Sequence, residues 1–474
     1  MPDDNNGFTD IFIYDRQTRQ TRRINVSANG AEANFVSFFP AMSANGRYVV
    51  FQSDASNLVK DDNNRTTDVL LHDQTTGLTE LVSVNSSGVQ GNSTSSEPVI
   101  SADGRYVAFH SNATNLVKRD TNKSLDVFVH DRNTQETTRV SIDSEGVQAN
   151  GTSFGAAISA DGRYVAFSTN ANNLIKNDGN NTIDVLLHDR ETGETTLASL
   201  SSNGQQGDAS SFNPALSAKG RYVVFGSRAT TLINDDTNEL EDIFVHDRQT
   251  HETVRVSVDN TGQQAEGPSF SATLSADGRY VIFNSDAGNL VADDDNNSTD
   301  VFIHDRQTGQ THRLTLVSQS YTHTPASSYA PAISNDGRWV AYESKAWNLV
   351  ANDFNEASDI FIYDRGYYAS YEVATGVLYV PVLTTMPDDS LLRAKLFMIP
   401  DSIPLQFTLE KTNYFGIPLE NIPSTYISKT GLAHLPSVEV FNPPKEIQRC
   451  EVEMVSDSQI SVFTVTQIDC TSEN

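Results

Sequence analysis

"SADGRYVAFHSNATNLVKRDTNKSLDVFVHDRNTQETTRVS", residues 101–141, holds two apolar runs, "YVAF" and "VFV", and two tight turns, "ADG" and "DRNTQ". β-Branched and aromatic runs bounded by Asp-Gly or Asn-rich turns read as short strands. The stretch recurs along the chain. Gly-Arg-Tyr (Gly-Arg-Trp in the last copy) falls at Gly46, Gly104, Gly162, Gly220, Gly278 and Gly337, at spacings of 58, 58, 58, 58 and 59. Asp126 has counterparts at Asp10, Asp68, Asp184, Asp242, Asp300 and Asp359. A fixed period of this size is the signature of an array, and it decides the fold before any local feature does.

Within one unit the pattern predicts four strands: "FGAAIS" (154–159), "RYVAFS" (163–168), "DVLLHD" (184–189) and "TTLASL" (195–200). No segment has helical periodicity over ~11 residues. The second and third strands are apolar on both faces, which suits sheets covered on both sides. Four antiparallel strands per unit, stacked face to face, give an all-β fold of the β-propeller type, which hides most sheet edges by radial repetition. The string "SADGRYVAFHS…LDVFVHDRNTQETTRVS" resembles the repeat of TolB-like propellers, relatives of the WD-type repeat. The resemblance covers about 8–366. It implies a propeller that serves as a docking platform and a periplasmic or extracellular location; the same fold also carries lyases and peptidase lids.

Third strands number seven, whereas first and second strands number six. "PDDNNGFTDIFIYDR" at the start aligns with "KDDNNRTTDVLLHDQ". The expectation is therefore a propeller over 1–366 with an N-terminus that starts inside a unit. It has seven positions with the first incomplete, or six. From 367 to 474 the composition changes, and "YEVATGVLYVP" matches "YISKTGLAHLP". These predict a small β-rich module of two related units, 371–415 and 426–469.

The chain has 474 residues and a net charge of −28. Phosphate binding needs a basic footprint, so nucleic acid is excluded as an expected partner. No run of 18 apolar residues occurs, so no membrane insertion by a helix is expected. The first residues lack the basic and apolar regions of a signal peptide. Cys450 and Cys470 are either one late disulfide or two thiols.

Function is placed by loop length. In a meander the 1→2 and 3→4 turns share one end of the sheet, and the 2→3 and 4→1 connections share the other. The first class is short. The second is long, as in "SNATNLVKRDTNKSL" (111–125) and "DSEGVQANGTS" (143–153). Long loops on a rigid scaffold are where binding concentrates. On that face lie six copies of a hard-oxygen triplet suited to calcium: Asp62, Asn64 and Asp68; Asp120, Asn122 and Asp126; Asp178, Asn180 and Asp184; Asp236, Asn238 and Asp242; Asp294, Asn296 and Asp300; Asp353, Asn355 and Asp359. Three ligands fall short of the six to eight that calcium takes. The acid at the twelfth position, Asp131, lies roughly 17 Å further along the strand than Asp126. The structural reading is that Asp126 and its equivalents accept loop N–H groups as an Asx turn does.

His72, His130, His188, His246 and His304 close five third strands, with Tyr14 and Tyr363 in the equivalent places. A position met by either ring wants a flat body and a hydrogen-bonding tip. Ser153 in "GTSFG" lacks the strand–helix context of a nucleophile elbow, and no other catalytic signature occurs. The sequence thus points to a non-enzymatic platform for a protein or a surface polymer, without a cofactor. Two alternatives stand beside it: a propeller lyase or hydrolase acting at the central channel, and a calcium-stabilised module.

Overall fold

The computed structural model describes residues 4–315 and 327–365, apart from 293, 295, 348, 351, 352, 354 and 356, together with the backbone of the strands beyond 366. Among the described residues every regular element is a strand. The chain divides into two compact units, Met1–Tyr363 and Asp364–Asn474.

The first unit is a β-propeller of six blades preceded by a hairpin. Blade 1 consists of Ser37–Met42, Tyr48–Ser53, Asp68–Asp73 and Leu78–Leu81. Blade 2 repeats it with Ser95–Ile100, Tyr106–Ser111, Asp126–Asp131 and Glu136–Arg139. Blades 3, 4 and 5 begin at Ser153, Ser211 and Ser269 and have the same four-stranded antiparallel order. Blade 6 has three described strands, Ser328–Ile333, Trp339–Ser344 and Asp359–Asp364. The opening hairpin, Phe12–Asp15 with Gln20–Arg23, is a sheet of its own. It does not join blade 6, whose third-strand place is already taken by Asp359–Asp364.

First strands lie beside the first strands of neighbouring blades, so they line the middle of the array. Each carries a bulge. In blade 2 the register shifts between Ser96 and Val99, and Glu97 takes a positive φ of 49°. In blades 1 to 5 the second and third strands are buried on both faces because a neighbouring sheet covers each side. One such interface joins Val50, Val69 and Leu71 of blade 1 to Val107, Phe109, Leu116 and Phe128 of blade 2. Burying each of these large side chains contributes about 1.5–3 kcal/mol.

The Ser-Ala-Asp-Gly-Arg-Tyr motif is a local device and an inter-blade lock together. Ser101 Oγ donates to Asp103 and accepts the N–H of Tyr106, closing the turn. Arg105 then reaches across to Asp131 in two parallel bonds of 2.9 and 2.7 Å. That fork holds the Asp131 carboxyl down at about 2. Tyr106 leans onto Gly162 of the next blade, and Arg190 of that blade stacks over its other side, 4.3 Å from the ring centroid. Backbone bonds link each turn to the next: Ala44 N–H to Ala102 O, Ala102 N–H to Ala160 O, and so on to Asn335.

A second lock uses the histidines. The Thr137 hydroxyl gives its one hydrogen to the Val84 carbonyl at 2.5 Å, so it must accept from His130 Nδ1 at 2.9 Å. Val84 belongs to the connection from blade 1, so the ring is fixed as a neutral clamp between blades. The clamp recurs at His188, His246 and His304, where burial pushes the imidazole down to about 4.

The second unit is one eight-stranded sheet. Its first four strands form a meander, its last four form another, and the two meet where Gln406–Phe415 pairs with Val462–Thr471. The edge strand Ala369–Glu372 also pairs in parallel with Leu432–Asn442, the strand next to the opposite edge. Cys450 stands opposite Cys470 in register; their side chains lie outside the described residues.

The turn glycines should therefore differ in tolerance. Gly162 has φ +73°, and a Cβ there would drive into the Tyr106 ring. Gly46 has the same φ, but its Cβ would meet only Met42 Sδ at 3.8 Å. Urea unfolding is expected to show Gly46→Ala costing about 1–2 kcal/mol from left-handed strain alone. Gly162→Ala should cost about 1–3 kcal/mol more from overpacking.

Candidate functional site

The long connections among the described residues emerge on one face, and they are tied to one another. Asn92, between blades 1 and 2, gives its N–H to Asn115 Oδ1, while Asn115 Nδ2 donates to Gln90 O. The same exchange joins Asn150 to Asn173 and Glu266 to Asn289. Each described 4→1 connection ends its crossing in a small turn with an exposed tip, such as Ser86–Val89 or Ser144–Val147. Asn85 Oδ1 accepts from both Ser87 N and Val89 N, which holds the tip rigid.

Beneath this face lie the predicted oxygen triplets. Asp126 is fully buried at the start of the third strand. It accepts from Ser141 Oγ at 2.6 Å, from Asn122 Nδ2 at 2.9 Å and from Arg139 Nη1 at 3.3 Å. These are side-chain donors, not the loop N–H groups expected for it. The Asx turn is made by Asn122 instead, whose Oδ1 accepts from Ser124 N, while its Nδ2 also holds Ala149 O. Asn64, Asn180 and Asn238 do the same in blades 1, 3 and 4. In blade 6 Asn355 bonds to Asp359 and to Ala357 N.

In blades 2, 4 and 5 the first residue of the triplet approaches the third strand through a cation. Arg139 lies 3.5 Å from Asp120, Arg255 lies 3.8 Å from Asp236, and Arg313 lies 2.7 Å from Asp294. Each Arg also faces the buried carboxylate, Asp126, Asp242 or Asp300. Arg23 plays this part for Asp10 in the opening hairpin. Blades 1 and 3 differ, because Leu81 and Leu197 stand at the arginine's position. There a neutral amide bridges the carboxylates: Gln90 Nε2 donates to Asp62 and Asp68, and Gln206 Nε2 to Asp178 and Asp184. Burial, unrelieved by any cation, pushes Asp68 and Asp184 up to about 6. Asp242 is also pushed to about 6 by burial, its arginine being 3.7 Å away.

Among the described residues no three acidic, His or Cys side chains converge as a metal-ligating group. Asp131, the twelfth-position acid, is on the opposite face with Arg105. Sequence reasoning passed over three partners of the triplet. They are the hydroxyl 15 residues after the buried Asp (Ser83, Ser141, Ser199, Ser257, Thr315), the Gln at 22, and the Arg or Leu at 13. Their fixed offsets were the available signal.

One blade departs from the repeat near the middle of the array. His110 Nδ1 of the second strand lies 3.8 Å from Glu97 Oε2 of the first, buried and without a hydrogen-bond partner. Burial pushes His110 down to about 4 and raises Glu97. Other blades carry Gln52, Ser168, Gly226, Asn284 or Glu343 in place of His110.

No family model matches the chain, and no curated protein matches its sequence. Among solved structures, a putative TolB from Agrobacterium tumefaciens is similar at 13% identity and a TM-score of 0.42, over 75% of this chain and 97% of that one. An oligogalacturonate lyase in complex with manganese is similar at 13% and 0.42, over 82% and 92%. The β-propeller domain of the Trilobed protease from Pyrococcus furiosus is similar at 11% and 0.42, over 81% and 99%.

The Arg/Leu alternation can be tested by pH. The Asp184 carboxyl is raised in the folded state from 3.8 to about 6. Its ionisation therefore costs stability as pH rises through that window, by about 2–3 kcal/mol above it. Leu197→Arg supplies the counter-charge used in blades 2, 4 and 5. Urea unfolding should show the variant more stable than the parent by about 1–2 kcal/mol at pH 7.5, with the gain gone at pH 3.5.

Proposed function

We propose that the chain is a non-catalytic binding platform of the cell envelope or secreted space, engaging a protein or a surface polymer through the long-loop face. The observation that carries this reading is the rigid array of like turn tips on that face: Ser86–Val89, Ser144–Val147, Ser202–Gln205 and Asn260–Gln263, all exposed. Repeated tips at a fixed spacing suit a partner with repeated chemistry, since linked weak contacts add up through effective concentration. The strongly acidic composition favours a partner with exposed cationic groups.

The test is a pull-down from envelope and secreted fractions. It compares the protein with a variant in which tips 86–89 and 144–147 are each replaced by Gly-Gly. A partner held by the parent and lost by the variant, with both melting alike, supports the loop face. Equal retention by both would remove it.

A second reading rests on Glu97 and His110. A neutral imidazole beside a carboxyl, present in one blade only, has the make-up of a general acid–base pair. Turnover of acidic oligosaccharides or peptides that is lost in both His110→Ala and Glu97→Gln would support an enzyme. On the platform reading no such turnover is found.

A further inference from the structure

The chain holds two cysteines, Cys450 and Cys470. Both fall in the second unit, in the neighbouring antiparallel strands Glu446–Ser456 and Val462–Thr471. The ladder between these strands runs Arg449↔Thr471, Cys450↔Cys470, Glu451↔Asp469 and Val452↔Ile468. Each cysteine thus has one residue directly across from it, and that residue is the other cysteine. Facing residues of an antiparallel pair have Cα atoms about 4.5 or 5.5 Å apart, according to whether the pair is hydrogen-bonded. Both spacings lie within the ~4.4–6.8 Å that a disulfide spans. Two cysteines placed without regard to each other would seldom meet at one rung of one ladder.

The register is a second observation. The two meanders share a pattern at one common offset: "RAKLFMI" (393–399) matches "RCEVEMV" (449–455), and "FTLEK" (407–411) matches "FTVTQ" (463–467). In the first meander Ala394, the counterpart of Cys450, faces Thr412, the counterpart of Ile468. In the second, Cys450 faces Cys470 instead, so the ladder is displaced by two residues. That displacement is what sets the cysteines opposite each other. A slip of two residues keeps the alternation of faces, so the apolar pattern accepts either register. A covalent link accepts only one.

The place is also where the sheet gains from a link. Val462–Thr471 pairs with Gln406–Phe415 through Val462, Phe463 and Thr464. From Val465 to Thr471 its ladder partner among the described residues is Glu446–Ser456 alone, and a bulge between Glu453 and Met454 interrupts that ladder.

We infer that Cys450 and Cys470 form a cross-strand disulfide that pins this register. In the step that makes it, the two thiols lose their protons and their sulfurs join. The electron pair passes to a disulfide-bearing oxidant, whose own S–S bond opens and takes up both protons as two thiols. Such a bond persists in an oxidising compartment. The inference does not depend on the loop-face reading, since neither the tips nor a partner enters it.

The test uses the full chain, treated with oxidised glutathione and then denatured in an alkylating agent. Intact mass should show no labelled thiol before reduction and both cysteines labelled after it, with the protein monomeric on a non-reducing gel. Reduction should lower the melting temperature of the second unit by about 5 °C or more. It should also speed amide exchange over 446–456 and 462–471 and leave exchange in the propeller strands unchanged. The double variant Cys450→Ser, Cys470→Ser should match the reduced protein and ignore reductant. A register control combines Cys470→Ser with Ile468→Cys, which moves one thiol to the rung that the first meander's register would use. Oxidised glutathione should form no intramolecular bond in that variant. Three outcomes overturn the proposal: thiols of the parent that stay open to label, a bond in the Ile468→Cys variant formed as readily as in the parent, or a parent disulfide whose reduction changes neither melting nor exchange.

Discussion

A tyrosine at the start of one blade's second strand is clamped between a glycine and an arginine of the next blade. The propeller depends on this contact more than on any single hydrogen bond, because it sets the distance between sheets whose cores are otherwise non-directional. Tyr106 rests on Gly162, where no side chain could fit, and beneath Arg190. Arg190 is in turn fixed by its bond to the Gly162 carbonyl. A cation over an aromatic face contributes roughly 0.5–2 kcal/mol, so four or more such clamps in series hold a ring that burial alone would leave free to slide.

The same economy shapes the loop face. Six buried aspartates open the third strands, and each must have its charge met. In four ring positions an arginine from the fourth strand does so. In blades 1 and 3 a glutamine amide does so. These networks take up the inner side chains of the long loops, while Ser86, Ser144 and Ser202 at the start of the tips accept the backbone N–H of Thr137, Thr195 and Thr253 in the next blade. The histidine clamps serve the rim likewise: each ring is buried with its Nδ1 committed to a threonine of the fourth strand.

Several features were legible in residue order alone. The 58-residue period, the four strands of each unit and the short and long connections all follow from local patterns repeated six times. Repetition cancels the noise of any one copy. The third strand was placed at 184–189 as observed, whereas the fourth ends at Leu197 and not at residue 200. There Ser199 turns its hydroxyl onto Asp184 and accepts the Val185 N–H, displacing the ladder. Propensity could not see this, because Ala198 and Leu200 read as strand.

Sequence by itself determined the architecture, the face that bears the long loops and the residue types available there, because each depends on contacts within one unit. Tertiary structure alone decided what those residues do. Arg139 becomes a counter-ion for Asp120 and Asp126, His130 becomes a clamp to Val84, and Glu97 meets His110, each through contacts between strands or blades.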